Sequence, residues 1–278
     1  MQGREQDSVE DLGAWLKELN SRDRVSEIAE AWMQDDPKWR AQELAYDALE
    51  ANGLEEALYL AGEAQKLDPE CTDAQRLMVD LLPTSPENRL HLMREVVATA
   101  ERNLGESFEQ DAGHFWLKVS TRPYMRAAQH LGELLAGAGQ FDEAAAIFDR
   151  MLDLNPKDNQ GMRFPLLCMY LATGNPEGAV SVLSRFPGQE GFIALFAWGR
   201  TMERFLSGNL VEAEAALERA RRVNPFVEKY VLGAKPPDHG VDYYRPGDES
   251  EAEFCGWELR SALMNHPDFR QWVRSHRP

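Results

Sequence analysis

Residues 123–156 read PYMRAAQHLGELLAGAGQFDEAAAIFDRMLDLNP, and the spacing of small and apolar residues in this stretch decides the fold. Ala128, Leu131, Gly132 and Leu135 recur at steps of three and four, which places them on one face of a helix. Gly132 offers no side chain where a second helix would cross closely. Gly139 suits the left-handed residue that ends the first helix. Ala144, Phe148 and Met151 form the matching face of a second helix, and Asn155-Pro156 stops it. The unit is a helix-turn-helix of roughly 34 residues, a length typical of stacked helical repeats.

Weaker copies lie on both sides. From Lys38 to Pro69, Ala41, Leu44, Ala45 and Ala48 line one predicted helix and Ala57, Ala61 and Ala64 a second, with Gly53 between them. A further unit starts near Thr72 and is interrupted by Pro83 and Pro86. A longer helix then runs from about Glu87 to Leu104 and ends at Gly105. After the central unit, Asp158 precedes a helix running to Gly174, and Asn175-Pro176 opens its partner. A third unit spans Phe192 to Pro225. Its first helix is apolar almost all round, so both its faces should be covered. The pattern is that of tetratricopeptide (TPR) repeats. It predicts an all-α chain folded as a single TPR-like right-handed superhelix, an α-α solenoid.

The flanks complete this organisation. Residues 1–36 hold two predicted capping helices, with stripes Val9, Leu12, Trp15, Leu16, Leu19 and Val25, Ile28, Ala29, Trp32. Repeats are expected over 37–105 and 123–225, joined by a junction loop at 106–122 that packs through Phe115 and Trp116. Residues 226–278 are expected to form an extended tail over 226–247 and then capping helices. The first of these opens at Gly247-Asp248 with Glu251 three residues on.

Composition bounds the partners. Lys and Arg number 30 against 47 Asp and Glu, a net charge of −17. Such a chain repels phosphate backbones and anionic membrane surfaces, so neither nucleic acid nor membrane is an expected partner. Three widely spaced cysteines, Cys71, Cys168 and Cys255, give neither a disulfide framework nor a metal spacing. With no apolar leader in MQGREQDSVED and no long apolar run, the expected location is cytoplasmic.

Four segments carry a resemblance beyond the repeat: GHFWLKVSTRPYMRA at 113–127, NPKDNQG at 155–161, NPFVEKYVLG at 224–233 and GDESEAE at 247–253. Together they resemble the suppressor of tumorigenicity seven family and its shorter bacterial TPR relatives, over about residues 113–278. The resemblance implies a repeat fold. It maps no catalytic chemistry onto these residues, and the membrane segments that animal members are believed to carry have no trace in this sequence, so no localisation is carried over.

The histidines at 91, 114, 130, 239, 266 and 276 stand in no ligand spacing, and no phosphate-cradling glycine loop or nucleophile motif occurs. No enzyme, metal or cofactor is therefore expected. By register, Trp39, Tyr46 and Leu49, then Arg126, Gln129 and Glu133, then Phe164, Cys168 and Leu171 face the concave groove of the solenoid. These positions lack the Lys/Asn/Arg clamp with which chaperone-binding TPRs hold a terminal carboxylate. The groove is expected to take a protein or peptide, unless the chain's own 226–247 segment fills it. The predicted docking seam is Arg122, Tyr124, Arg126, Asn159, Arg163 and Phe164, because cations concentrate there in an acidic chain. The bland alternative pairs those arginines internally with Asp142, Glu143 or Asp158. The function read from this is a non-enzymatic scaffold or adaptor. Its alternative is an acidic immunity-type or chaperone protein that masks a basic partner.

Overall fold

The computed structural model describes residues 36–233 and 243–277. Every regular element among them is helical: fifteen α-helices and three short 3-10 turns, with no strand. The two capping helices expected before residue 36 lie outside the described residues. The helices group into two units divided between Asn103 and Leu104, just before the junction expected at 106–122.

The first unit comprises α1 (Pro37–Glu50), α2 (Leu54–Leu67), α3 (Thr72–Leu81) and α4 (Pro86–Leu104). Asp36 caps α1 through the Lys38 amide, with Pro37 in the first turn. The interior of α1–α3 is built from small residues: Ala41, Ala45, Ala64, Cys71 and Ala74 form one cluster, and Ala48, Ala61 and Leu77 another. Alanine faces let the helix backbones approach closely. The buried Asp73 carboxylate is satisfied from α1, where Gln42 Nε2 donates to it at 2.8 Å.

The second unit starts with α5 (Ser107–Gln110) and two 3-10 turns (Phe115–Leu117 and Val119–Thr121). Here the expected loop is ordered by aromatic packing. Phe108, Phe115 and Tyr124 meet edge to face at centroid distances of 5.0–5.9 Å. Phe115 is fully buried; Trp116 is only half-buried and carries Arg122 over its ring. Next come α6 (Arg122–Gly137) and α7 (Phe141–Leu154), the pair read from the central repeat. A Cβ on Gly132 would lie 2.4 Å from the Phe148 ring, so this crossing requires glycine.

Two more pairs follow: α8 (Arg163–Ala172) with α9 (Pro176–Arg185), and α10 (Ala194–Leu206) with α11 (Leu210–Val223). Helix α8 packs on α7, α9 and α10. The apolar α10 is covered as its composition demands: Leu195, Phe196, Trp198 and Met202 are all buried. The tail differs from the extended segment expected at 226–247. Residues Val227–Val231 form a short helix, α12, because Val227, Tyr230 and Val231 share a face that buries against α13 (Glu249–Glu258). Residues 234–242 lie outside the described set. Two further helices, α14 (Arg260–Asn265) and α15 (Pro267–Ser275), close the unit, and α13 and α14 pack on α8.

Glu251 fastens this C-terminal layer. Its buried carboxylate accepts from the Ala194 amide at the start of α10 (3.0 Å), from Asn224 Nδ2 (3.0 Å) and from the Gly247 amide (2.7 Å). The acidic start read as a capping box therefore reaches beyond its own helix. One carboxylate ties α10, the end of α11 and α13 together.

Candidate functional site

A cavity of about 530 Å³ opens in the second unit where α6 and α8 meet the C-terminal helices. From α6 come Gln129 and Glu133, one turn apart, and from α8 comes Phe164. Register had assigned these three residues to the groove, and the fold brings them together. The opposite wall is Phe254, Trp257 and Glu258 on α13, with Arg260 on α14 and Tyr244 before them. Cys168 and Leu171, expected on the same face as Phe164, are instead sealed in the core. The physical reason is that α13 and α14 pack directly on α8.

The aromatic wall is continuous. Phe164 stands edge-on to Phe254 at 5.7 Å, and Tyr244 stacks on Phe254 at 4.7 Å. Tyr244 is thus the described part of the 226–247 segment that reaches the groove. It forms one wall and leaves the cavity beside it. Gln160 bridges the repeat turn to α6: its Nε2 donates to Gln129 Oε1 at 2.8 Å and lies 3.4 Å from the Met125 carbonyl. Its Oε1 is buried with no hydrogen-bond partner among the described residues.

Charge in the cavity is uneven. Burial pushes the Glu258 carboxyl up to about 7; Arg260 pulls it back and the Glu133 carboxylate raises it further. Arg260 does not pair with it directly. Its guanidinium lies 3.9 Å from the Trp257 ring centroid, and Nη1 donates to the Trp257 carbonyl at 2.6 Å. Glu133 accepts from Gln129 Nε2 at 2.9 Å and lies 3.8 Å from His130 Nδ1.

The seam predicted as the docking site is placed differently. Tyr124 is a core residue, held edge-on against Phe108 and Phe115, and cannot face a partner. Arg163 pairs with the buried Asp158 carboxylate at 2.7 Å and lies over the Phe164 and Phe186 rings. Asp158, in the left-handed region at φ 51°, also accepts from the Met162 and Arg163 amides and so starts α8. Arg163 thus makes the internal pair with Asp158 that the alternative reading describes. Arg126 is engaged by other residues of the fold, and Arg122 Nε donates to the Trp116 carbonyl at 3.2 Å. Asn159 is exposed. Of the predicted set, only Phe164 lines the cavity.

The residues that sequence reasoning missed are Trp257, Glu258 and Arg260. They sit on the terminal helices, which carry no repeat register. The only local mark on α13 is its acidic start at Asp248 and Glu251, which says nothing about where these three side chains point. Among the described residues no cluster of His, Cys, Asp or Glu could hold a metal, and no helix is long and apolar enough to cross a membrane. Burial pushes the Cys71 thiol up to about 11 and raises Cys168 and Cys255 as well, so all three stay thiols. No protein-family model matches the sequence, and no curated protein matches it.

Proposed function

We propose that the chain is a non-enzymatic binding scaffold of the TPR type, whose helix pairs stack in a right-handed superhelical sense and hold a protein or peptide partner at the cavity of the second unit. The observation that carries this reading is the convergence of Gln129, Glu133 and Phe164, from the first helices of two successive pairs, on one open cavity. Solenoids of this kind use that face for recognition because its side chains are not consumed in stacking one pair on the next. Three other features support the repeat assignment: the glycine crossing at Gly132, the contact of α8 with α10, and the resemblance over residues 113–278. The acidic excess favours partners that are neither nucleic acid nor anionic membrane, and three free buried cysteines fit a reducing compartment such as the cytoplasm.

Affinity capture with intact-mass identification of the partner, run in parallel on wild type and on Ala136→Trp, tests the proposal. Ala136 is a partly buried residue of the cavity wall, so the variant introduces a large ring there. The expected result is loss of the partner with an unchanged melting temperature. Retention of the same partner by the variant overturns the assignment of the cavity.

The alternative, charge masking of a basic partner, is favoured by the two carboxylates of the cavity together with the net charge of −17. Salt separates the two readings. A charge-masking complex weakens steeply as ionic strength rises, whereas a complex held by the apolar wall changes little.

A further inference from the structure

The cavity holds two carboxylates and one guanidinium, and the guanidinium is committed elsewhere. Arg260 is bound to the Trp257 carbonyl and stacked on the Trp257 ring. Glu258 is partly buried and accepts no hydrogen bond among the described residues. Burial raises this carboxyl to about 7, so a cationic donor that pairs with it would draw off its proton and hold it as a counter-charge. Glu133, exposed on the facing helix α6, adds a second acidic group to the cavity. On the wall that carries Glu258 stand Phe254, Tyr244 and Trp257, whose π faces attract cations. A carboxyl without a donor, a second acidic group and aromatic faces all call for one kind of group, a cation rich in N–H donors.

We propose that the cavity receives an arginine or lysine side chain from an extended segment of the partner protein, with Glu258 as its counter-charge and Glu133 as a second one nearer solvent. This rests on the scaffold reading and names the chemistry that the scaffold recognises. A guanidinium suits the site better than an ammonium. Its planar fork reaches a carboxylate with two N–H groups while its face lies on a ring, as Arg260 already does on Trp257. A purely apolar side chain would leave Glu258 without a partner, and an anionic one would meet two acidic groups.

The test is a ligand-observed NMR titration of the full chain with capped heptapeptides that differ only at the central residue: arginine, lysine, citrulline or aspartate. Arginine is expected to bind at least about tenfold tighter than citrulline, which keeps the shape and loses the charge. Lysine should fall between them and aspartate should not bind. In Glu258→Gln, which preserves size, the preference for arginine over citrulline should disappear without any fall in melting temperature. Equal binding of arginine and citrulline, or tighter binding of aspartate, overturns the proposal; the latter would make Arg260 the reader. Arginine preference surviving in both Glu258→Gln and Glu133→Gln overturns it too. If no peptide binds while Ala136→Trp still abolishes capture of the protein partner, the cation inference falls and the scaffold reading stands. If that capture is also unaffected, both fall.

Discussion

Each unit carries a groove of similar size, and the two grooves differ in kind. In the first unit about 470 Å³ is bounded by the aliphatic Met78, Val79, Leu82, Pro83, Leu92 and Val96 together with Gln65, Gln75, Thr84, Glu95 and Thr99, with no aromatic ring and no basic side chain. In the second, about 530 Å³ is bounded by aromatic rings with two carboxylates, an arginine and an amide set among them. An apolar groove discriminates weakly, because any side chain of fitting size gains a similar burial energy. A groove with buried acceptors discriminates strongly, because a ligand without donors leaves them unpaired. The interiors behind the grooves differ in the same way. Alanines line the helix crossings of both units, and the second adds glycines that lie under large side chains, at Gly132, Gly178, Gly199 and Gly256.

The largest expected effect is at Glu251. Replacing it by alanine strands two backbone amides and the Asn224 amide, all of which now donate to one buried carboxylate. We expect a loss of about 3 kcal/mol or more. Hydrogen exchange should locate the loss: amides of α10 and α13 speed up while those of α1–α3 stay unchanged. Equal acceleration in α1–α3 would break the division into two units. Glu251→Gln, which keeps one acceptor and the shape, should cost clearly less.

Gly132→Ala comes next. The new Cβ would lie 2.4 Å from Phe148 Cε1, and Phe148 is fully buried. Overpacking of this kind costs about 1–3 kcal/mol, more than the helix propensity that alanine gains. Phe148→Leu in the same chain should recover part of the loss, a coupling that a double-mutant cycle reads directly. Independent, additive losses would mean that the crossing is looser than its geometry implies.

The charged cavity should also show in the pH dependence of stability. Glu258 is raised from 4.5 to about 7 in the folded chain, chiefly by burial. The groups acting on it are Arg260, which opposes the rise, and Glu133; Glu258 in turn raises the buried Cys168 and Cys255 thiols. Between these two pH values the folded chain holds a proton that the unfolded chain has released. Its contribution is full below about 4.5 and is lost as pH rises through about 7. For a partly exposed group the loss is on the order of 1–2 kcal/mol after solvent screening. Denaturant unfolding of wild type and Glu258→Gln across this range should converge at low pH and separate at high pH, with wild type the less stable. Parallel curves would show that Glu258 titrates as an ordinary exposed acid.

How much of this was legible in the sequence follows from where a repeat register exists. Gly132, Ala144, Phe148 and Met151 recur at helical spacing, so the α6–α7 crossing and its buried glycine could be read directly. Gln129, Glu133 and Phe164 were assigned to one face by the same register and do meet at the cavity. Tyr124 was misplaced because its partners, Phe108 and Phe115, lie in the segment that breaks the period. The far wall of the cavity was hidden for a related reason. Trp257, Glu258 and Arg260 reach it only because Glu251 anchors α13 against α10, and that tertiary bond has no local signature.

The smallest effect sharpens the contrast from the other side. Gly62 lies inside α2, within a helix read from its alanine spacing, and a Cβ built there meets nothing within 4 Å. Glycine at such a position has no packing role, so its only consequence is the extra backbone entropy lost on folding. Gly62→Ala should therefore stabilise the chain by up to about 1 kcal/mol, a rise of a few degrees in a thermal melt. The substitution is chemically identical to Gly132→Ala, and both sites are in helix interiors. Opposite signs are expected because one Cβ enters open space and the other enters an aromatic ring. If both variants lower the melting temperature, α2 is packed more tightly than its surroundings show, and the two interiors do not differ in the way described. If both raise it, Phe148 moves aside at little cost, and a glycine at that crossing is a convenience of the sequence, not a requirement of the packing.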